Sequence, residues 1–163
     1  MMNRGKKFHL LKGILNEMGS LVVAYSGGVD SSFLLKVASD VLKDKAIAVP
    51  ADSETYPQRE LSQAKKQAQD WSIKHIIIDT KELDNQEFSK NSPQRCYFCK
   101  KELFTKLLRI AKEHKFNFVA EGSNADDSSD YRPGLKAIEE LGIRSPLKEA
   151  GLTKQEIRIL SQE

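Results

Sequence analysis

Three groups of residues in this 163-residue chain have types and spacings suited to chemistry. The first is Ser26-Gly27-Gly28-Val29-Asp30-Ser31-Ser32. Gly27 and Gly28 permit positive φ and let backbone N–H groups approach an anion closely. A helix beginning just after them turns its unpaired N–H groups and positive dipole end to the same point. The hydroxyls of Ser26, Ser31 and Ser32 are further donors, so the segment suits phosphate or pyrophosphate. Neither G-x-x-x-x-G-K-[ST] nor G-x-G-x-x-G is present, which excludes a Walker A loop and a dinucleotide fingerprint. A Gly-Gly pair alone serves a plain strand-to-helix turn equally well.

The second group is Cys96 and Cys99, spaced C-x-x-C within Arg95-Cys96-Tyr97-Phe98-Cys99-Lys100. A thiolate at a helix start beside Arg95, Lys100 and Lys101 is stabilised. The spacing also holds two corners of a zinc or iron–sulfur site and leaves it incomplete. Two semi-buried helical cysteines are the plain alternative. The third group is Ala120-Glu121-Gly122-Ser123-Asn124-Ala125-Asp126-Asp127, followed by Asp130 and Arg132. It is either a solvated acidic loop with an N-cap or a Mg²⁺ or substrate contact. Pro133 holds Arg132 extended, where it pairs with Asp130 or reaches a substrate phosphate.

The elements that must position these groups alternate between strand and helix periods. Phe8, Leu11, Ile14, Leu15 and Met18 share a helical face that Gly19 ends. Leu21–Tyr25 is an apolar run expected to be a buried strand. Leu34, Val37, Ala38 and Val41 form the stripe of the helix after the glycines. A second strand runs from Ala46 to Val49 and on towards Ser53, and Pro57 suits the first turn of the next helix, with Leu61, Ala64, Ala68 and Trp71 inward. Ile76–Ile78 is a third strand, and the polar stretch from Thr80 to Arg95 is a long surface excursion. Leu103, Phe104, Leu107, Leu108 and Ala111 mark another helix, then Phe116–Ala120 a fourth strand ending at Gly122. Pro133 starts a helix with Leu135, Ile138 and Leu141 that Gly142 ends. Thr153 and Glu156 form a capping box, with Leu152 and Ile157 in the positions of a hydrophobic staple. The alternation predicts an α/β fold with a parallel sheet, right-handed crossovers and ligands beyond the carboxyl ends of the strands.

Composition agrees with one soluble domain: 39% hydrophobic and 30% charged residues, with no apolar run near the ~18 residues of a membrane span. No secretory signal pattern follows the basic N-terminus. A net charge of +3 is compatible with anionic ligands and too weak to demand nucleic acid. Two cysteines cannot build a secreted disulfide scaffold, so a cytoplasmic location is expected. His9, His75 and His114 have no partners at ligand spacing, and Trp71, on an apolar helical face, is expected in the core rather than under a base.

The seven residues from Ser26 contain the S-G-G-x-D-S PP-loop of the N-type ATP pyrophosphatases. That resemblance implies cleavage of ATP to AMP and pyrophosphate, with Asp30 as partner of Mg²⁺. More of the chain resembles one subfamily. The stretches VAYSGGVDSSFLLKVA, RCYFCKKELF, EGSNADDSSDYRPGLKA and RSPLKEAGLTKQEIR are similar to the LarE family of ATP-dependent sacrificial sulfur transferases, which serve nickel-pincer nucleotide synthesis. The resemblance implies an adenine nucleotide alpha hydrolase-like, Rossmann-like three-layer α/β/α fold with a five-stranded parallel sheet of order 3-2-1-4-5. It implies that ATP adenylates a carboxylate of a pyridinium dicarboxylate mononucleotide, which then becomes a thiocarboxylate. The sulfur comes from a sacrificed cysteine or a cysteine-held [4Fe–4S] cluster.

On this resemblance, Asp30, Ser31, Asp126 and Asp127 are the catalytic candidates. Ala24, Ser26, Gly27, Gly28, Val29, Asp30, Ser31, Ser32, Ala51, Ser53 and Gly122 are candidates for ATP, with adenine near Ala51 and Ser53. Arg132 and Arg144 are candidates for the acceptor substrate, Asp30 for Mg²⁺, and Cys96 and Cys99 for an incomplete iron–sulfur site. Residues 1–163 are read as a single PP-loop domain. The family's C-L-x-S-R segment, carrying a further cysteine, would lie past Glu163, so the chain is read as an N-terminal fragment or a stand-alone domain. The intact protein would then be the cluster-carrying type, compatible with a homo-oligomer. This chain alone, prepared anaerobically, is expected to hold no stoichiometric [4Fe–4S] cluster. Adding the C-L-x-S-R segment restores it, and Cys96→Ser or Cys99→Ser abolishes it, as read by iron and sulfide assays. Rival readings are a tRNA thiolase, an amidating ligase, and a nucleotide-binding module without turnover.

Overall fold

The apolar pentad Leu21–Tyr25 forms β1, at the centre of a parallel sheet. The structure is a computed structural model that describes residues 2–52, 58–76, 78–79, 95–128 and 133–163. Its other strands are β2 (Ala46–Asp52), β3 (Ile78–Asp79) and β4 (Phe118–Ala120). The helices are α1 (Arg4–Met18), α2 (Val29–Leu42), α3 (Gln58–Asp70), α4 (Arg95–Glu113), α5 (Pro133–Glu140), α6 (Pro146–Glu149) and α7 (Lys154–Gln162).

Strand order is β3-β2-β1-β4. Side chains alternate across β1 and divide the core into two layers. Leu21, Val23 and Tyr25 join α1, α2, α3 and α7 through Leu11, Leu15, Leu34, Ala64, Ala68 and Ile157. Val22 faces the other way, onto Phe104, Leu107 and Ile138 of α4 and α5. This is the expected three-layer α/β arrangement. Because β2 and β3 extend the sheet on one side of β1 and β4 lies on the other, the order reverses between β1 and β4. A crevice at the carboxyl ends of those two strands is where such sheets bind ligands.

The expected fifth strand is present among the described residues only as one parallel bridge, Ala120 to Arg144. Arg144 N–H donates to Val119 O at 2.9 Å, and Glu121 N–H donates to Arg144 O at 3.0 Å. Gly142, at φ +69°, closes α5 just before this point, and Pro146 opens α6 just after it. That leaves Ile143, Arg144 and Ser145 to run beside the sheet.

Other boundaries moved for local reasons. β4 begins at Phe118 rather than Phe116, because Phe116 N–H closes α4 on Ala111 O at 2.8 Å and Asn117 N–H bonds Ser20 Oγ at 2.9 Å. β3 comprises Ile78 and Asp79, preceded by a bridge from His75 to Ala48. Trp71 is half-buried against the core, with Lys36 Nζ 6.0 Å from its ring centroid. The capping box at Thr153 formed as expected, and both staple residues, Leu152 and Ile157, are buried. Among the described residues no helix is long and apolar enough to cross a membrane. The expectations on Ser53, Pro57, Asp130, Arg132 and residues 80–94 lie outside the described residues.

Candidate active site

The glycine segment leaves β1 at Tyr25 and enters α2 at Val29. Gly27 takes φ +83°, which favours a residue without Cβ. Gly28 does not: it is the extended N-cap of α2, at φ −72° and ψ 171°, and has no side chain with which to cap the helix. The first-turn N–H groups of α2 are therefore left without a capping side chain and point towards the crevice end of the sheet.

Three serines were expected to offer hydroxyls to an anion, and the structure divides them. Ser26 is exposed, and its Oγ accepts from Gly28 N–H at 3.3 Å. Ser31 is buried, its Oγ 2.9 Å from Ser26 Oγ and 3.2 Å from Ser26 N. These bonds shape the loop from within. Ser32 is also buried and turns away, donating to Gln67 Oε1 of α3 at 3.0 Å. The hydroxyl of Tyr25 donates to the same amide oxygen. Burial pushes the Tyr25 phenol above its usual range, with the Ser32 hydroxyl pulling the other way. Val29 is 44% exposed beside the loop, and Ala24 is half-buried in β1.

Asp30, second residue of α2, is where distant segments meet. Its Oδ1 accepts from Lys154 Nζ of α7 at 2.9 Å, and its Oδ2 accepts from Asn124 Nδ2 at 2.9 Å. The Asp30 side chain is 19% exposed and that of Lys154 36%. An acidic group in the first turn also gains from the helix dipole. A hard carboxylate at the phosphate loop, already compensated by an ammonium, fits a site that trades one cation for another. Among the described residues no three His, Cys, Asp or Glu side chains converge as a metal site.

The loop after β4 lies against α2 because of Gly122. A Cβ there would stand 3.0 Å from Ser31 N, 3.1 Å from Ser31 Cα and 3.3 Å from the Asp30 carbonyl carbon. Asp126 and Asp127 were expected as catalytic residues, in contact with Mg²⁺ or substrate. Asp127 Oδ2 accepts Asn124 N–H at 2.8 Å, and Asp126 Oδ2 accepts Lys154 N–H at 2.9 Å. Asn124 Oδ1 in turn accepts Asp126 N–H at 2.8 Å. These contacts close the loop and dock it on α7. Glu121 is buried, and its carboxylate accepts Ser123 Oγ at 2.7 Å, Ser123 N–H at 3.1 Å and the Ser145 hydroxyl.

Arg144 does not join this cluster. Its guanidinium makes a bidentate pair with Glu149, at 2.8 and 2.7 Å, and lies 5.2 Å from the ring centroid of Phe118. Phe118 starts β4, so the group sits towards the end of the strand remote from the glycine segment. Cys96 and Cys99 fall in the first two turns of α4, three residues apart, and their side chains lie outside the described residues. Lys101 and Lys136 place their ammonium groups 5.6 and 6.0 Å from the Tyr97 ring centroid. Ala51 is in β2, paired with Ile78.

Sequence reading missed Lys154, Asn124 and Gln67 as site residues. Lys154 and Asn124 lie in the stretches that carry the family resemblance, yet nothing local in them points to Asp30. Gln67 has no such signal at all.

The pairs around the site have a pH consequence. Hydrogen bonding to Arg144 holds the Glu149 carboxyl below the ordinary glutamate value, although burial pushes it up. For Glu156, burial pushes up, and the Thr153 N–H and Lys7 together outweigh it, leaving the group below its usual value. A carboxyl lowered on folding stabilises the native state above its unfolded pKa, and that stability fades as pH falls through the folded value. The melting temperature is therefore expected to drop on acidification below about 4.3, the unperturbed glutamate value. The drop should be smaller in Glu149→Gln, and an unchanged acid profile in that variant would refute the assignment.

Comparison with known proteins gives the same frame. The argininosuccinate synthase N-terminal HUP domain family matches residues 20–160. An uncharacterized protein of Synechocystis is 43% identical over 96% of this chain and 58% of its own length. The pyridinium-3,5-bisthiocarboxylic acid mononucleotide synthase of Lactiplantibacillus plantarum is 36% identical over 94% of this chain and 56% of its own. The chain thus spans a little over half the length of these relatives. Among solved structures, the U34-tRNA thiolase NcsA of Methanococcus maripaludis with its [4Fe-4S] cluster superposes with TM-score 0.70. It covers 96% of this chain and 63% of that one at 18% identity, a likeness of fold.

Proposed function

Because the chain belongs to the argininosuccinate synthase N-terminal HUP domain family, we propose that it is the nucleotide-activating PP-loop domain of an adenylating sulfur transferase. It binds ATP, splits it to AMP and pyrophosphate, and adenylates an acceptor carboxylate for sulfur transfer. The observation that carries this reading is the junction at Asp30. A carboxylate at the helix start following Gly27-Gly28 is held by Lys154 and Asn124 from the two segments that flank the crevice.

The phosphates lie against the segment from Ser26 to Ser32, on the N–H groups that Gly28 leaves uncapped, with adenine beside the end of β2 near Ala51 and Ser53. An acceptor carboxylate oxygen attacks the α-phosphorus. The bond from that phosphorus to the oxygen bridging towards the β-phosphorus breaks, and pyrophosphate leaves with the electron pair. Lys154, released from Asp30, neutralises charge gathering on the leaving group. Asp30 would hold Mg²⁺, directly or through water, and that ion would screen the phosphates and stabilise the departing pyrophosphate. Asp126 and Asp127 act by holding the Asn124 loop and the start of α7. Arg132 is the group proposed for the acceptor's phosphate.

The relative from Lactiplantibacillus makes a pyridinium bisthiocarboxylic mononucleotide, which makes a pyridinium dicarboxylate mononucleotide the acceptor to test. Adenylation, the half of the reaction served by the described residues, does not involve a sulfur carrier. Cys96 and Cys99, at the start of α4, are proposed for the later step in the intact protein, whose cytoplasmic setting favours reduced thiols.

The discriminating experiment is pyrophosphate release from ATP with and without the pyridinium acceptor. Acceptor-dependent release is expected; ATP binding without release in either condition would make the chain a binding module. Gly28→Val tests the phosphate position. A Cβ at Gly28 meets only Ser26 Oγ, at 3.4 Å, and φ −72° suits any residue. The variant should fold normally and bind ATP about tenfold or more weaker, a loss of ~1.4 kcal/mol or more. Equal affinity in titration calorimetry would remove the phosphates from this loop.

A further inference from the structure

We propose that Lys7 of α1 is a positioning residue for the nucleotide site, acting through Glu156 and the first turn of α7 to hold Lys154 on Asp30. The proposal rests on the nucleotide reading above, and it gives a task to a helix that precedes residues 20–160, the stretch shared with the family.

Lys7 Nζ donates to both carboxylate oxygens of Glu156 at 3.0 Å. The two side chains are only 18% and 22% exposed, against 42% and 58% for the other bridge between these helices, Arg4 to Glu163. The Lys7 stem passes Gly151, whose Cβ would lie 3.9 Å from Lys7 Cε. Glu156 is at once an ion partner and a cap. Its Oε2 accepts Thr153 N–H at 2.9 Å and Thr153 Oγ1 at 3.2 Å, while Glu156 N–H donates to Thr153 Oγ1 at 3.3 Å. One carboxylate therefore both sets the first turn of α7 and fastens it to α1.

Lys154 is the next residue, the first of α7. Its N–H bonds Asp126 at 2.9 Å and its Nζ bonds Asp30 at 2.9 Å. A one-residue change of helix phase would rotate it by ~100° and carry the ammonium off the carboxylate. A lysine side chain has several rotatable bonds, so holding its Cα reduces the entropy lost when Nζ is placed. The resulting path is Lys7, Glu156, the Thr153 cap, Lys154 and Asp30, with every link a hydrogen bond except the peptide bond from Thr153 to Lys154.

The test compares Lys7→Met, Lys7→Arg, Lys154→Met, the double variant Lys7→Met/Lys154→Met, and Arg4→Met as control, all in this chain. The readouts are the carbon NMR shift of the Asp30 carboxyl group, and KM against kcat for pyrophosphate release from ATP in the presence of the pyridinium acceptor. Lys7→Met is expected to move the Asp30 resonance in the same direction as Lys154→Met. It should lower kcat about 3–10-fold, on the order of 1 kcal/mol, with KM for ATP little changed. Lys7→Arg should restore both, and the double variant should be no worse than Lys154→Met alone. Arg4→Met, which loosens the same helix pair elsewhere, should change neither. A Lys7→Met protein with the wild-type Asp30 resonance and kcat, whatever its melting temperature, overturns the proposal, as does strict additivity in the double variant. If the wild-type chain neither binds nor splits ATP, the nucleotide reading fails, and the Asp30 resonance still decides whether Lys7 positions Lys154.

Discussion

Replacing Asp30 with Asn is expected to lower acceptor-dependent pyrophosphate release about 10²–10³-fold, the loss typical of removing one electrostatic contact to a developing charge. Asn is isosteric, so its amide oxygen still accepts from Lys154, while its amide nitrogen faces Asn124 Nδ2 and that one neutral-donor contact is given up, since Asn124 Oδ1 is held by Asp126 N–H. The lost quantity is the negative charge that would hold the cation. Folding should change little, because an ion pair with side chains 19% and 36% exposed is worth no more than about 1 kcal/mol. The measurement is release rate as a function of Mg²⁺ concentration beside a melting curve. A variant with wild-type turnover would dismiss Asp30 from the chemistry. One that unfolds at ambient temperature would make it a structural residue.

Gly122→Val should damage fold and site together. The three atoms nearest the added carbon are backbone of α2, at 3.0 and 3.1 Å in Ser31 and 3.3 Å in Asp30, and none of them can swing aside as a side chain would. Overpacking of this kind costs about 1–3 kcal/mol, which corresponds to roughly 3–10 °C for a chain of this size. Relief requires the loop after β4 to retreat from α2, and that separates Asn124 from Asp30. Turnover should therefore fall further than stability alone explains, with Gly122→Ala intermediate. Wild-type stability and turnover in the Val variant would show that the close approach does not matter.

The parts of the site legible in the sequence are those written in consecutive residues. A strand, two glycines and a helix start form one continuous motif, and the Thr153–Glu156 cap spans a single turn. The unbroken apolar run likewise foretold that β1 is a buried strand, as strands covered on both faces are. Even here detail escaped. Both glycines permit positive φ, and only Gly27 adopts it, since Gly28 takes the extended N-cap geometry that lets its carbonyl accept the first helical bond, from Ser32 N–H at 2.9 Å. Likewise, the serines look alike in sequence, while the packing of α3 draws Ser32 towards Gln67 and leaves Ser26 outside.

Long-range geometry decided the rest. Lys154 is 124 positions from Asp30, and no local rule couples them. They meet because the loop after β4 docks on α7 through Asp126 and because α1 braces α7 through Lys7. Arg144 was a substrate candidate by position in a family stretch, yet the single helical turn after Ser145 brings Glu149 back onto it. The fifth strand was shortened by a glycine and a proline whose effect depends on where the sheet edge falls. Short-range order is set by torsional preference and side-chain period, and can be read along the chain. The pairing of charges from remote segments depends on the relative placement of whole helices and strands, which only their packing into one core determines.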